Sequence, residues 1–288
     1  MVKFYSPLRY PGGKNRIFPF VSSLIKRNDL EGCAYVEPFA GGAGLALHLL
    51  IEGVVSEIYL NDLDKSIYCF WKTVIENPEN VCHWIEDVEV NMETWRKAKN
   101  IYADFGKYSD FEIAMATFYL NRANVSGIIT GGPIGGMEQK GKYKINARFN
   151  KEDLVNRIKL ISTYSKQIHL SGLDGNEFLR RIDSMDKKLF IYIDPPYVNK
   201  GAQLYMNFFQ EQNHRDLIQT ISKLKHKWIV SYDNADLINE IYCQYIRITH
   251  RLSQCTSNRI GDEILIIHPD LKFKSSISLL KGPTILKT

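Results

Sequence analysis

In this chain of 288 residues, the segment Asp194-Pro195-Pro196-Tyr197 holds the residue types best suited to chemistry. It directly follows the apolar run Leu189-Phe190-Ile191-Tyr192-Ile193, which reads as a buried strand. An aromatic amino group is a poor nucleophile, because its lone pair is delocalised into the ring. A carboxylate at position 194 could accept one N–H of such an amine, and the carbonyl of Pro195, held by two prolines that restrict the backbone, could accept the other. Two acceptors would draw the nitrogen toward tetrahedral geometry and aim its lone pair at an electrophilic methyl group. Tyr197 offers a flat face for a base, an interaction worth about 1–3 kcal/mol in nucleic-acid complexes. Transfer from a sulfonium is an in-line displacement, and a stacked base cannot present its amine to a buried donor, so the base is expected to flip out. The plain alternative is a proline-rich turn after a strand, and the company this segment keeps weighs against it.

That company begins with Val36-Glu37-Pro38-Phe39-Ala40-Gly41-Gly42-Ala43-Gly44, placed after one short strand pattern and before a helix. Glycine at the carboxyl end of a parallel strand lets the backbone turn tightly and approach a ligand that a Cβ would exclude. A structural strand-to-helix turn would look the same. The next strand, Ile58-Tyr59-Leu60, ends in Asn61-Asp62-Leu63-Asp64, which puts an acid about 20 residues beyond the glycines, where a carboxylate can accept both ribose hydroxyls of a nucleoside. A helix N-cap is the competing role for Asp62.

The elements that must position these residues are short β-type runs alternating with helical patterns, which predicts an α/β fold with a Rossmann-like, mostly parallel sheet. Strands are expected at Ala34–Glu37, Ile58–Leu60, Ile168–Leu170, Phe190–Ile193 and Trp228–Ser231, with Glu263–Ile267 closing the sheet. Helices are expected after Gly44, over Gln210–Leu224, and from Asn150, whose side chain could cap the amides of Glu152 and Asp153. From 71 to 149 no strand pattern appears. Helical periodicity surrounds Trp84, Trp95 and Phe118, followed by a glycine-rich stretch from Gly127 to Gly141 that reads as a hairpin. Residues 71–149 are therefore expected to be an inserted substrate-gripping domain, with 1–70 and 150–288 forming the catalytic α/β domain.

Charge supports that division. The net +5 is carried entirely by the window Arg122–Lys159, with eight basic and three acidic residues; the rest of the chain holds 29 of each sign. A localised positive field suits a polyanion, although a basic patch without function would look alike. The candidate DNA contacts are Arg122, Lys140, Lys142, Lys144 and Arg148, lysine favouring phosphate and arginine able to read guanine with two bonds. Five scattered cysteines, Cys33, Cys69, Cys82, Cys243 and Cys255, show no metal or redox spacing, so no metal is expected. No apolar run approaches the roughly 18 residues of a membrane span, and the N-terminus has no signal-peptide pattern, which leads to an expectation of a cytoplasmic protein without membrane contact.

Together these motifs resemble the DNA adenine N6-methyltransferases of the Dam-like group, whose cofactor motif precedes the catalytic one. The resemblance starts at Arg9-Tyr10-Pro11-Gly12-Gly13-Lys14 and spans nearly the whole chain. It implies S-adenosylmethionine as cofactor, held by Tyr10, Lys14, Glu37, Phe39, Gly41, Gly44, Asp62, Asp174 and Asp194, with Lys14 beside the catalytic segment 194–197. The family's F-x-G-x-G is here F-x-G-G-x-G, one residue longer, and the phenylalanine that usually neighbours the Asp174 position is Gly175. The insertion, with Asn121-Arg122 ahead of the glycine-rich stretch, resembles the family's target recognition region, although Ile128–Pro133 departs from the pattern of the G-A-T-C readers. The implied partner is double-stranded DNA, met by a monomer; whether a cognate restriction endonuclease acts on the same site stays open. The rival activities are methylation of cytosine N4, RNA or a protein amide, and DNA binding without catalysis.

Overall fold

A computed structural model describes residues 3–9, 13–198, 209–253 and 260–286. Its strands are β1 (Ala34–Glu37), β2 (Glu57–Asn61), β3 (Ile168–Ser171), β4 (Leu189–Ile193), β5 (Lys227–Asp233), β6 (Ile246–Ser253), β7 (Ile260–Ile267) and β8 (Thr284–Leu286). They form one sheet in the order β3-β2-β1-β4-β5-β7-β6-β8. The first five are parallel, β7 runs antiparallel between β5 and β6, and β8 is antiparallel to β6. Every residue of β1 and β4 is buried, as expected of parallel strands covered on both faces. Between β1 and β4 the strand order reverses, and a crevice opens there at the carboxyl ends of the strands.

The helices in chain order are α1 (Phe18–Arg27), α2 (Gly44–Ile51), α3 (Lys65–Glu76), α4 (Pro78–Asp87), α5 (Met92–Ala103), α6 (Asp110–Ala123), α7 (Lys151–Ser162), α8 (Gly175–Asp183), α9 (Glu211–Ile221) and α10 (Asp236–Ile241). Polar residues start several of them: Asp64 caps α3, Asn91 caps α5, and Ser109 forms a reciprocal capping box with Glu112 on α6. Helix α6 is buried almost all round from Ile113 to Asn121 and forms the axis of the inserted helices. Its Phe118 stacks on Phe70 of α3 with ring centroids 5.5 Å apart. The apolar core continues without a break from Phe20 and Leu47 under the sheet to Phe118 and Leu154. The helical insertion therefore shares its core with the sheet domain, and residue 71 lies inside α3, where the Trp71 indole donates to the Gly41 carbonyl at 2.8 Å.

Each expected strand is present, β7 beginning three residues earlier than expected at Ile260. Strands β6 and β8 were not anticipated, because β6 mixes Arg247, His250 and Arg251 among its apolar residues. Asn150 caps α7 through the amide of Asp153 alone, at 3.2 Å. The expected hairpin after Gly127 is instead a chain of turns held by one isolated bridge, Asn124 to Pro133. Positive φ at Gly127, Gly135, Gly136 and Gln139 turns the backbone too often for a ladder to form. Cys33, Cys69 and Cys82 are buried thiols and Cys243 is an exposed one, while Cys255 lies outside the described residues. Among the described residues no helix is long and apolar enough to cross a membrane.

Candidate active site

Sheet register brings the two sequence motifs to one place. Val36 of β1 pairs with Ile191 of β4, so Glu37 and Asp194 leave adjacent strands at the same edge. A cleft of about 630 Å³ opens there, lined by residues 37–45, Asp62, Asp194 and Pro196. Asn61 ties the edge together, its amide donating to the carbonyls of Pro38 (3.0 Å) and Leu173 (2.9 Å).

Asp194 sits at the mouth of this cleft with its side chain 25% exposed. Because Ile193 pairs with Val230, Ser231 lies beside Asp194 and donates its hydroxyl to Oδ1 at 2.6 Å. Lys14, only 5% exposed, places its ammonium 3.1 Å from Asp194 Oδ2, 2.6 Å from the Tyr197 hydroxyl and 3.3 Å from Glu263 Oε2. Burial raises the Asp194 carboxyl above the ordinary aspartate range; the Lys14 charge opposes this shift and the Glu263 charge adds to it. Pro195 is buried and Pro196 faces the cleft. Tyr197 departs from the sequence reading: only 7% exposed, its ring lies 5.0 Å from the Lys14 ammonium and presents no open face to the cleft. Stacking of a base on Tyr197 therefore needs the residues covering it to part. The amide of Val198 donates to Asp233 at 3.0 Å, fixing the far end of the turn.

The other half of the cleft is built from the glycine loop. Gly41 and Ala43 both adopt positive φ, 47° and 46°, which turns the chain from β1 into α2. Ala43 thus occupies the left-handed region that non-glycine residues rarely adopt. A Cβ at Gly44 would meet only Asn15 at an ordinary 3.8 Å, so protein packing does not demand this glycine. Asp62 accepts the amide of Gly41 at 2.8 Å on Oδ2 and that of Asp64 at 3.0 Å on Oδ1, and the α3 cap is Asp64, which removes the N-cap role considered for Asp62. Burial and the Asp64 charge raise the Asp62 carboxyl to about 7 against those two bonds. Burial also lifts Glu37, which accepts the Tyr35 hydroxyl at 2.9 Å, to about 8. Asp174 caps α8, accepting the amides of Asn176 and Glu177, and borders the cleft. A Cβ at Gly175 would stand 2.5 Å from the Phe39 ring, so Phe39 fills the space beside Asp174 where the resemblance led to an expected phenylalanine. Tyr10 lies outside the described residues.

The proposed DNA contacts divide. Arg122 is half-buried and faces the cleft together with Arg9, Arg148 and Arg157. Burial and these neighbours lower its guanidinium to about 9. Lys140, Lys142 and Lys144 are exposed on the turn segment instead, Lys140 paired with Glu138 and Lys144 bonded to the Gln139 carbonyl. Between the two groups, Asn121 accepts the Arg9 amide at 2.7 Å and donates to the carbonyls of Arg9 and Gly127, both at 2.9 Å. A Cβ at Gly127 would fall 2.1 Å from the Arg9 carbonyl, which explains the glycine.

The profile of the D12 class N6 adenine-specific DNA methyltransferases matches residues 10–254. The chain belongs to this family. It is a DNA adenine N6-methyltransferase, and S-adenosylmethionine is its methyl donor. The type II methyltransferase M.MjaIII of Methanocaldococcus jannaschii is 24% identical, over 91% of this chain and 98% of its own. The solved structure of TrmN from Thermus thermophilus is similar at 12% identity and a TM-score of 0.39; it aligns with 86% of this chain, which spans 48% of that structure.

Sequence reasoning missed Ser231, Glu263, Asp233, Arg9 and Arg157. Ser231 and Asp233 were discoverable as polar residues ending an apolar parallel strand beside β4. Glu263 begins an otherwise apolar run, and because β7 is antiparallel its first residues lie at the carboxyl edge, opposite Asp233.

Proposed function

We propose that Asp194 and the carbonyl of Pro195 accept the two N–H groups of an adenine extruded from double-stranded DNA. The observation that carries this reading is the partly open Asp194 carboxylate at the cleft mouth, with Ser231 and Lys14 holding its two oxygens. Each carboxylate oxygen has a second lone pair, so neither contact blocks an incoming amine. Asp194 would hold the nitrogen as the new N–C bond forms and the donor's methyl–sulfur bond breaks, leaving a neutral thioether, and the amine would then give up one proton to solvent.

The cleft fits the cofactor. An aromatic ring at Phe39, carboxylates at Glu37 and Asp62, and an unforced glycine at Gly44 suit a nucleoside carrying an amino-acid arm. Asp62 would accept the ribose hydroxyls on its remaining lone pairs, Glu37 and the loop at Gly41 and Gly44 would receive the amino-acid end, and Asp174 would face the adenine, with Tyr10 and Lys14 completing the site. When bound, S-adenosylmethionine supplies an electrophilic methyl group on a sulfonium.

Residues 71–149 serve in this reading as the target-recognition lobe. Arg122 and Arg148, joined by Arg9 and Arg157, hold phosphate near the extruded base, and Lys140, Lys142 and Lys144 meet the backbone farther out. Relatedness to a protein named a type II methyltransferase supports action at a defined DNA site; the enzyme would meet that site as a monomer, with a cognate restriction endonuclease as a further partner there. The test is incubation with unmethylated genomic DNA and labelled S-adenosylmethionine, followed by nucleoside analysis and sequencing. N6-methyladenine in one sequence context is expected; label in N4-methylcytosine, or none in DNA, overturns the reading.

A further inference from the structure

Lys14 has one ammonium and two buried or half-buried carboxylates. Besides Asp194 Oδ2 at 3.1 Å it meets Glu263, whose Oε2 and Oε1 lie 3.3 and 3.5 Å away and whose side chain is 3% exposed. A carboxylate this deeply buried is costly unless paired, and a lone strand acid contributes nothing to a core. With both carboxylates ionised, the three groups together would carry a net single negative charge at the cleft edge. Were Glu263 neutral, Lys14 would pair with Asp194 alone and the edge would be formally uncharged.

That difference bears on the chemistry. An amine nitrogen attacking a methyl group gains positive charge, and a carboxylate that keeps its own negative charge stabilises it better than one already neutralised by a lysine. We propose that Glu263 is a positioning residue for methyl transfer: by sharing the Lys14 ammonium it leaves the Asp194 carboxylate only partly compensated, and so a stronger acceptor for the adenine amine. The same charge raises the pH at which that carboxylate forms. The inference rests on the reading of Asp194 as amine acceptor. Glu263 also holds Lys14 where it can donate to the Tyr197 hydroxyl, so one strand residue steadies both ends of the 194–197 turn.

The groups facing Asp194 come from every neighbouring strand and from the turn before α1. They are Lys14 from that turn, Tyr35 and Glu37 on β1, Tyr192 on β4, Tyr232 on β5 and Glu263 on β7. Asp233 and His250 stand opposite Glu263 in register. Among them, Glu263 raises the Asp194 carboxyl and Lys14 lowers it.

The experiment is Glu263→Gln, which keeps the shape and removes the charge, with Glu263→Asp as a variant that keeps the charge. In the cofactor-free protein, carboxyl carbon NMR should show Asp194 titrating at lower pH in Glu263→Gln than in the wild type, and close to wild type in Glu263→Asp. In the assay with DNA, Glu263→Gln should lower kcat by about 10- to 100-fold while cofactor and DNA affinities stay within about twofold, the pattern of a contact that acts only as the reaction proceeds. The acid limb of its kcat profile should move to lower pH with the Asp194 titration, which a purely structural role would not cause. In a Lys14→Met background, Glu263→Gln should add no further loss. An unchanged Asp194 titration, or equal behaviour of the Gln and Asp variants, overturns the inference even where the wild type makes N6-methyladenine. Absence of N6-methyladenine from the wild type overturns the parent reading, and the NMR titration still decides for Glu263 by itself.

Discussion

The carboxyl edge at Asp194 and the turn segment from Gly127 to Phe149 are both polar, yet they are built in opposite ways. At the edge, each charged group is bonded to residues far away in sequence: Lys14 to Tyr197 and Glu263, Ser231 to Asp194, Asp233 to Val198. In the turn segment most side-chain bonds stay local, as with Gln139 to Ile134 and Gly136, Lys144 to Gln139, and Lys140 to Glu138, while Lys99 of α5 reaches the carbonyls of Ile129 and Thr130 at its start. Long-range bonds among buried groups fix positions before a substrate arrives, which is what electrostatic stabilisation of a reacting nitrogen requires. A self-bonded, exposed segment can change its sequence without disturbing the sheet, which is what a reader of variable DNA sites requires.

Removing the centre of the first region should have the largest effect. Asp194→Ala is expected to lower kcat by at least about 10³-fold, in line with the loss of a preorganised group aimed at developing charge, while cofactor affinity changes little. Single-turnover methylation with equilibrium binding measured alongside checks both halves. Near-normal turnover would remove Asp194 from the chemistry, and with it the contrast drawn between the two regions.

Asp62 tests the opposite wall of the cleft. Asp62→Ala should weaken cofactor binding by about 10- to 100-fold, the value of hydrogen bonds to a charged acceptor, with a smaller effect on kcat. The Asp62 carboxyl titrates near 7 in the cofactor-free protein, so the ionised acceptor is lost as pH falls through that value and affinity should weaken with it. Stability runs the other way. A folded-state pKa raised above the unfolded one contributes stability that is full below the unfolded value of 3.8 and is lost as pH rises through about 7. Glu37, at about 8, acts in the same sense. Asp62→Asn should therefore flatten both the affinity profile and part of the stability profile; calorimetry across pH 5–8 that showed Asp62→Asn and wild type superimposed would refute the assignment.

Much of this edge was legible from residues alone, because its main parts are strand ends. Apolar runs gave β1, β2, β4 and β5, and the polar residues that follow such runs fall at the carboxyl edge once the strands are parallel. Lys14 came from the family resemblance. Glu263 was hidden because its placement depends on β7 being antiparallel, a property of pairing that periodicity does not encode. The burial of the Tyr197 ring was hidden for a related reason: the type of residue was informative, but its surroundings are set by contacts far away in sequence, such as the Lys14 bond to its hydroxyl across 183 positions. In the insertion, helical periodicity located α4, α5 and α6, yet a glycine-rich stretch that looks like a hairpin became turns, since several positive φ angles leave no run long enough to pair.

The basic window offers the finest test of the contrast, because it holds both kinds of cation. Arg122 bonds to the Pro7 carbonyl at 3.3 Å and shares the cleft with four other arginines, so it is positioned from outside its own segment. Arg122→Ala should weaken DNA binding by about tenfold, the size of one charged hydrogen bond, and reduce methylation at limiting DNA. The lysines are worth less individually. Lys140 already has Glu138, and Lys144 already has the Gln139 carbonyl, so each must leave or share a partner to neutralise a phosphate. Changing Lys140, Lys142 and Lys144 to alanine together should reduce the slope of log affinity against log salt by about 1–2, short of the roughly 2.7 expected if all three released a counterion. A drop of the full amount would show that the local bonds open freely on DNA; an unaltered slope would place the DNA path on the arginine side alone.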